Sequence, residues 1–348
     1  MKLLVLTQAV DRNDPYVGFF HEWLVALAPK FDSIETICLK EGEHVLPHHV
    51  RVHSLGKEKR KESPVTYALR FLSYVRTLRR SYDAVFVHMN PEYVVLAGLL
   101  WKLLGKKIYL WYNHPKGGFR LAVAMFFADK VFYTSPLAAS AGSKKSVRMP
   151  AGVDTDLFSP QAVERTANAI YLQGRVMPSK RVSVACEATD LLVARGIPAT
   201  LTIVGPEEPA YTAELRRRHK DLIDKGTIVF LGPKPNRETP VLFSSHAVAL
   251  NLASGGHYDK TVLEAMACET PVVISSRAFA GRVPEMWSGK STPLEIADTL
   301  EAFFMLSPAE RDILGKRERT AVVEGESLPA LIGRLSEVLQ SGYPATKS

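Results

Sequence analysis

The sequence predicts an α/β protein built of two doubly wound domains, and three observations carry that prediction. Apolar runs of strand length alternate with longer amphipathic runs, the pattern of a parallel sheet covered by helices on both faces. The alternation fills the first part of the chain and restarts near residue 169. A length of 348 residues also exceeds what one hydrophobic core ordinarily holds. With 46% apolar and 23% charged residues the composition is that of an ordinary globular protein, which excludes a disordered chain.

In the first half, strands are expected at 3–6, 34–39, 50–55, 83–89, 107–112 and 131–135, and helices at 18–28, 64–81, 91–104 and 118–128. The 93–104 stretch is the longest apolar run, but Lys102 interrupts it and it is too short to span a bilayer. In the second half, a strand at 169–173 leads through a basic turn into a helix ending near 194. Strands at 201–205 and 228–232 each close on Gly-Pro, and a short helix is expected at 240–244. A strand at 247–253 is broken by Ser254, Gly255 and Gly256. Asp259 is then placed to N-cap a helix running to about 268, Glu269-Thr270-Pro271 ends it, and 272–274 is a buried strand. Helices at 299–306 and 328–339 complete the pattern.

Ligands of such sheets sit beyond the carboxyl ends of the strands, so polar residues there are candidates. Two ends of the first half qualify: His88-Met89-Asn90-Pro91 and Asn113-His114-Pro115-Lys116. For a lone histidine a satisfied structural role is the simpler reading, and His88 is left with it. The glycine loop at 254–256 followed by a helix start offers backbone N–H groups and a positive helix end to an anion.

Charge is unevenly placed. Residues 1–165 hold 23 Lys and Arg against 15 Asp and Glu, whereas the remainder balances. The surplus points to an anionic partner for the first half. Lys57, Lys59, Arg60 and Lys61 precede the 64–81 helix, which places Arg70, Arg76, Arg79 and Arg80 beside Leu69, Phe71, Leu72 and Val75. This is the composition of a helix lying on an anionic membrane, although any helix covering a sheet needs an apolar stripe. No nucleic-acid-binding motif accompanies the charge, so nucleic acid is not expected as a partner. Cys38, Cys186 and Cys268 are odd in number, widely spaced and set in apolar runs, as in a reduced cytoplasmic protein without a zinc site; the chain opens on a strand rather than a secretory leader.

The segment TVLEAMACETPVV, residues 261–273, resembles the nucleotide-sugar-binding signature of the retaining GT-B glycosyltransferases of the group 1, or family 4, type. The resemblance implies the GT-B architecture, two Rossmann-like domains with a cleft between them. It places the acceptor-side domain at 1–160, the nucleotide-sugar domain at 161–325, and a C-terminal helix with tail at 326–348 that packs back on the first domain. Glu264 matches the family glutamate that holds the donor ribose, while the preceding glutamate of the family pair is here Gly256. Asp259 is expected to replace it in part, and His257, Lys260 and Thr261 complete the donor-binding stretch. Gly174-Arg175 and Lys180 resemble the family's Gly-Arg…Lys turn, whose cations hold the donor diphosphate and neutralise the leaving group. His114 matches the histidine that reaches the donor sugar, and Gly18 closes the only candidate for the family's N-terminal glycine loop, 13–18. Residues 146–160 resemble the interdomain signature, so Asp154-Thr155-Asp156 is read as a turn and not as a metal site.

The resemblance further implies an enzyme that needs no metal or cofactor and uses a nucleotide-diphosphate sugar of the UDP or GDP type. Its acceptor is left open, as a lipid-linked or polysaccharide precursor, and a cytoplasmic protein peripheral on the inner membrane face is expected. Two alternatives share the architecture: a sugar-nucleotide 2-epimerase, and a non-catalytic nucleotide-binding partner of another transferase, which Gly256 would suit.

Overall fold

The computed structural model describes residues 1–14, 17–253 and 258–342. The chain forms two compact units, Met1–Gly152 with Leu328–Ser348, and Val153–Ser327.

The first unit is built on seven strands: β1 (Lys2–Val10), β2 (Ser33–Glu41), β3 (Val50–Ser54), β4 (Ala84–His88), β5 (Lys107–Trp111), β6 (Lys130–Tyr133) and β7 (Ser146–Arg148). They pair in the order β3-β2-β1-β4-β5-β6-β7, all parallel. Four of the crossovers run over a face of the sheet through α1 (Phe19–Leu27), α2 (Pro64–Thr77), α3 (Pro91–Leu103) and α4 (Phe119–Phe127), while β2 to β3 and β6 to β7 are joined by segments without an α-helix. The two-residue period of β1 shows why its sequence is continuously apolar. Leu3 and Val5 point into a core with Phe20, Trp23 and Leu24 of α1 and with Leu331, Ile332 and Leu335 of the C-terminal helix, Leu328–Gln340. Leu4 and Leu6 point the other way, into a core with Phe71 and Val75 of α2, Trp101 of α3 and Leu121 of α4.

The C-terminal helix is held against this unit by Tyr109, whose hydroxyl donates to Leu339 O at 3.2 Å, and by Gln340, which donates to Lys30 O at 2.7 Å. Gly152 has φ +70°, and a Cβ there would lie 2.4 Å from Leu331 and 3.1 Å from Trp23. Both the turn and the packing therefore require glycine. The apolar stripe of 64–81 is divided: Phe71 and Val75 of α2 are buried on the sheet and Leu72 is partly buried, while Leu69 is 64% exposed.

The second unit carries β8 (Thr166–Gln173), β9 (Thr200–Val204), β10 (Ile228–Phe230), β11 (His246–Asn251) and β12 (Val272–Ile274), ordered β10-β9-β8-β11-β12 and all parallel. Its helices are α5 (Val182–Ala194), α6 (Pro209–Arg218), α7 (Lys220–Asp224), α8 (Thr239–Ser245), α9 (Lys260–Ala267), α10 (Pro293–Phe304) and α11 (Pro308–Gly325). The expected fold class, two parallel α/β sheets each wound by helices, is observed. Three helices were not expected: α6, α7 and the 18-residue α11. All three are polar over most of their surface, and α11 buries only Gly315, Glu318 and Val322, so no apolar period announces it.

Candidate active site

At the carboxyl edge of the second sheet, the chain leaving β8 is pressed against the chain leaving β9. Gly174 N donates to Val204 O at 2.9 Å. A Cβ on Gly205, whose φ is +148°, would lie 2.0 Å from Gly174 O, so these two loop backbones touch in a way only glycine allows. From Gly174 the chain passes exposed Arg175 and makes a single 3-10 turn, Pro178–Lys180. Arg181 then takes a left-handed conformation, φ 53° and ψ 41°, before α5 begins. This tight turn brings the Lys180 ammonium to Asp259 Oδ2 at 2.5 Å, across from β8 to the start of α9. Both side chains are half-buried, so the pair is worth more than a surface ion pair.

Asp259 stands at the N-cap position of α9 but does not cap it, since its carboxylate makes no hydrogen bond to the helix N–H groups. The expectation of a capping aspartate is corrected. The charge of Lys180 competes better for that carboxylate than a backbone amide does. Asn251, the last residue of β11, donates through Nδ2 to Asp259 Oδ2 and lies against Thr261 Oγ1, each at 3.1 Å. Asn251 was missed from the sequence, although it is a polar residue ending a strand, the signal applied only to the first half.

One turn into α9, Glu264 is buried. Burial raises its carboxyl well above the usual range, the charge of Asp259 adds to the rise, and the Lys260 ammonium opposes both. The same burial lowers Lys260, and Glu264 offsets part of that effect. The two form a coupled pair on one helix face, at i and i+4. A small cleft between β8, β11 and the start of α9 is lined by Tyr171, Gln173, Asn251, Thr261 and Val262.

The second unit thus brings Gly174, Lys180, Asp259 and Thr261 together, with Glu264 one turn further on. Gly256 and His257 lie outside the described residues.

Gly18 and His114 belong to the first unit. A Cβ on Gly18 would meet Asp14 O at 2.6 Å, and Gly18 N donates to that same oxygen, so glycine is needed to fold the β1–α1 loop. His114 follows β5 and is exposed; its Nδ1 accepts from Lys116 N at 3.0 Å. Neighbouring Asn113 accepts from Thr134 N and Ser135 N, which ties the ends of β5 and β6 together. His88 is buried, stacked on Phe20 at 4.2 Å, and near Thr7 Oγ1. In the 154–156 segment, Asp154 Oδ1 accepts from Asp156 N and Leu157 N, a backbone turn. Among the described residues no group of three or more His, Cys, Asp or Glu side chains is placed to hold a metal ion.

Residues 167–303 match the family of glycosyl transferases group 1. No curated protein sequence matches the chain. Among solved structures, the chain is similar to HepE of Anabaena in complexes with UDP, with UDP-glucose, and with UDP and glucose. The TM-scores are 0.77, 0.74 and 0.75 at 17% identity, covering 98% of this chain and all of HepE. Sucrose-phosphate synthase of Thermosynechococcus elongatus is similar at TM-score 0.75 and 18% identity, covering 98% of both chains. WaaG, a glycosyltransferase involved in lipopolysaccharide biosynthesis, gives 0.68 at 13% identity, covering 98% of this chain and all of WaaG. At such identities the likeness to these structures is one of fold. The fold is GT-B, and residues 167–303, within the second unit, carry the domain of the glycosyl transferases group 1.

Proposed function

We propose that the protein moves a glycosyl group from a nucleotide-diphosphate sugar, of the UDP or GDP type, to an acceptor hydroxyl with retained configuration and without a metal ion. The observation that carries this reading is the gathering of Lys180, Asp259, Thr261 and buried Glu264 about the start of α9, beside the glycine-bounded turn that carries Arg175. A departing diphosphate must have its growing charge met. Fixed cations and a helix N-terminus meet it without reorganisation at the moment of reaction. In this reading Lys180 and Arg175 hold the diphosphate, with Asp259 keeping Lys180 in place until the phosphate oxygens take over as its partner. Glu264 accepts hydrogen bonds from the ribose hydroxyls, and His114 serves the sugar.

The bond from the anomeric carbon to the phosphate oxygen breaks while the bond to the acceptor oxygen forms on the same face. The acceptor proton passes to the departing phosphate oxygen. UDP in the HepE complexes makes a UDP-sugar the first donor to try, and the lipopolysaccharide role of WaaG favours a lipid-linked acceptor.

The test is incubation with UDP-, GDP-, ADP- and TDP-sugars, followed by analysis of the nucleotide products. Slow release of free nucleoside diphosphate from one donor class is expected. An isomerised nucleotide sugar would instead indicate an epimerase, and binding without turnover a non-catalytic partner.

A further inference from the structure

In the first unit, α3 and α4 lie side by side over one face of the sheet. Arg120 reaches Glu92 at 3.1 Å near the start of both helices, and Lys102 reaches Asp129, just beyond α4, at 2.7 Å. At Gly98 a Cβ would lie 2.8 Å from Phe127, so only a glycine lets the two helices approach this closely. Their inner sides bury Val94, Ala97 and Trp101, and Leu121 and Ala124. Their outer sides are apolar as well. Leu99 and Leu103 of α3 are 62% and 76% exposed, and Phe119 and Phe126 of α4 are 82% and 76% exposed. The spacings of four and seven residues set each pair on a single helical stripe. Single exposed apolar residues are normal, but large ones aligned on two adjacent helices mark an interaction surface.

The surrounding charge selects the occupant. Residues 91–150 hold nine Lys and Arg and only two acidic residues, Glu92 and Asp129. Both acids are already paired, Glu92 with Arg120 and Asp129 with Lys102 and Lys107. The rim of the apolar face is therefore positive. Apolar side chains standing outward, with cations at the helix ends, suit an interface where the former sink below the headgroups and the latter stay level with the phosphates.

We propose that the outer face of α3 and α4 docks on an anionic lipid surface. This deepens the reading above, on which it rests only for the lipid-linked acceptor.

The test is co-sedimentation with phosphatidylcholine vesicles containing about 30% phosphatidylglycerol, against vesicles of phosphatidylcholine alone. The protein is expected to bind the anionic vesicles at low salt and to be released as salt rises. The double variant Phe119→Ser, Phe126→Ser, with unchanged thermal melting, should bind about tenfold more weakly or worse. The proposal is overturned by absence of binding at low salt, or by undiminished binding of the variant. It is equally overturned if the face mediates a concentration-dependent dimer that the variant abolishes while neither protein binds vesicles. UDP titration of the same preparations reads the donor site independently: vesicle binding without any nucleotide binding would sink the donor reading alone.

Discussion

Glu264 and Lys260 each carry a charge that burial disfavours, and each lessens the cost for the other. In the proposed complex the ribose hydroxyls donate to Glu264, so the nucleotide favours its ionised form. Because the free carboxyl titrates above its usual range, UDP or GDP affinity should fall as the pH drops from about 8 to about 5.5. Glu264→Gln should weaken nucleotide binding by about 1.5–3 kcal/mol and flatten that pH dependence. Calorimetric titration of the nucleoside diphosphate alone checks both, and unchanged affinity would return Glu264 to a structural role. Part of the candidate site was legible at this scale because a basic turn closing on Lys180 and a glutamate, Glu264, inside an otherwise apolar helix are unusual in those positions. What could not be read were the pairings. Asp259 has the residue type and place of a helix cap, yet Lys180, 79 residues away in the chain, claims its carboxylate. Only the folded sheet makes them neighbours.

Among the elements, α11 shows what an apolar pattern leaves out. Its signal was instead Ser307-Pro308-Ala309-Glu310, which forms a reciprocal capping box with Ser307 Oγ accepting from Glu310 N. The helix sits close to the end of α9, where a Cβ on Gly315 would lie 2.4 Å from Glu269 O. It also carries Glu318 inward, 2% exposed, with its carboxyl group beside the backbone of Val272. Burial holds this carboxyl well above its ordinary range, and the charge of Arg317 and a backbone hydrogen bond from Val272 offset only part of the effect. Its folded-state pKa is therefore raised above the unfolded value. From about pH 4.5 upward the unfolded chain gives up a proton that the folded chain retains, so Glu318 should make stability decline with rising pH until the folded pKa is reached. Glu318→Gln should remove that contribution and raise stability at neutral pH by about 1–3 kcal/mol. Urea denaturation of both proteins at two pH values measures it, and a variant less stable than wild type at neutral pH would contradict this account.

For the whole molecule, the two-fold restart of the strand–helix alternation and the chain length were enough to read the architecture, because parallel sheets buried on both faces need near-continuous apolar strands. Leu3, Leu4, Val5 and Leu6 serve two opposite cores with one unbroken run. The surplus positive charge of the first half was equally plain in the sequence, but its apolar companion was not. Outward Phe119 and Phe126 look like core residues until the helix faces are known. No helix among the described residues is long and apolar enough to cross a membrane. The central claim is that the turn from Gly174 to Lys180 and the start of α9 hold the diphosphate of a nucleotide sugar. Its most direct test is the rate of nucleoside diphosphate release from the accepted donor by wild type and by Lys180→Ala, with thermal melting measured on both. The account predicts a variant that melts like wild type and turns over about 10²–10³ times more slowly; wild-type release by that variant would contradict it.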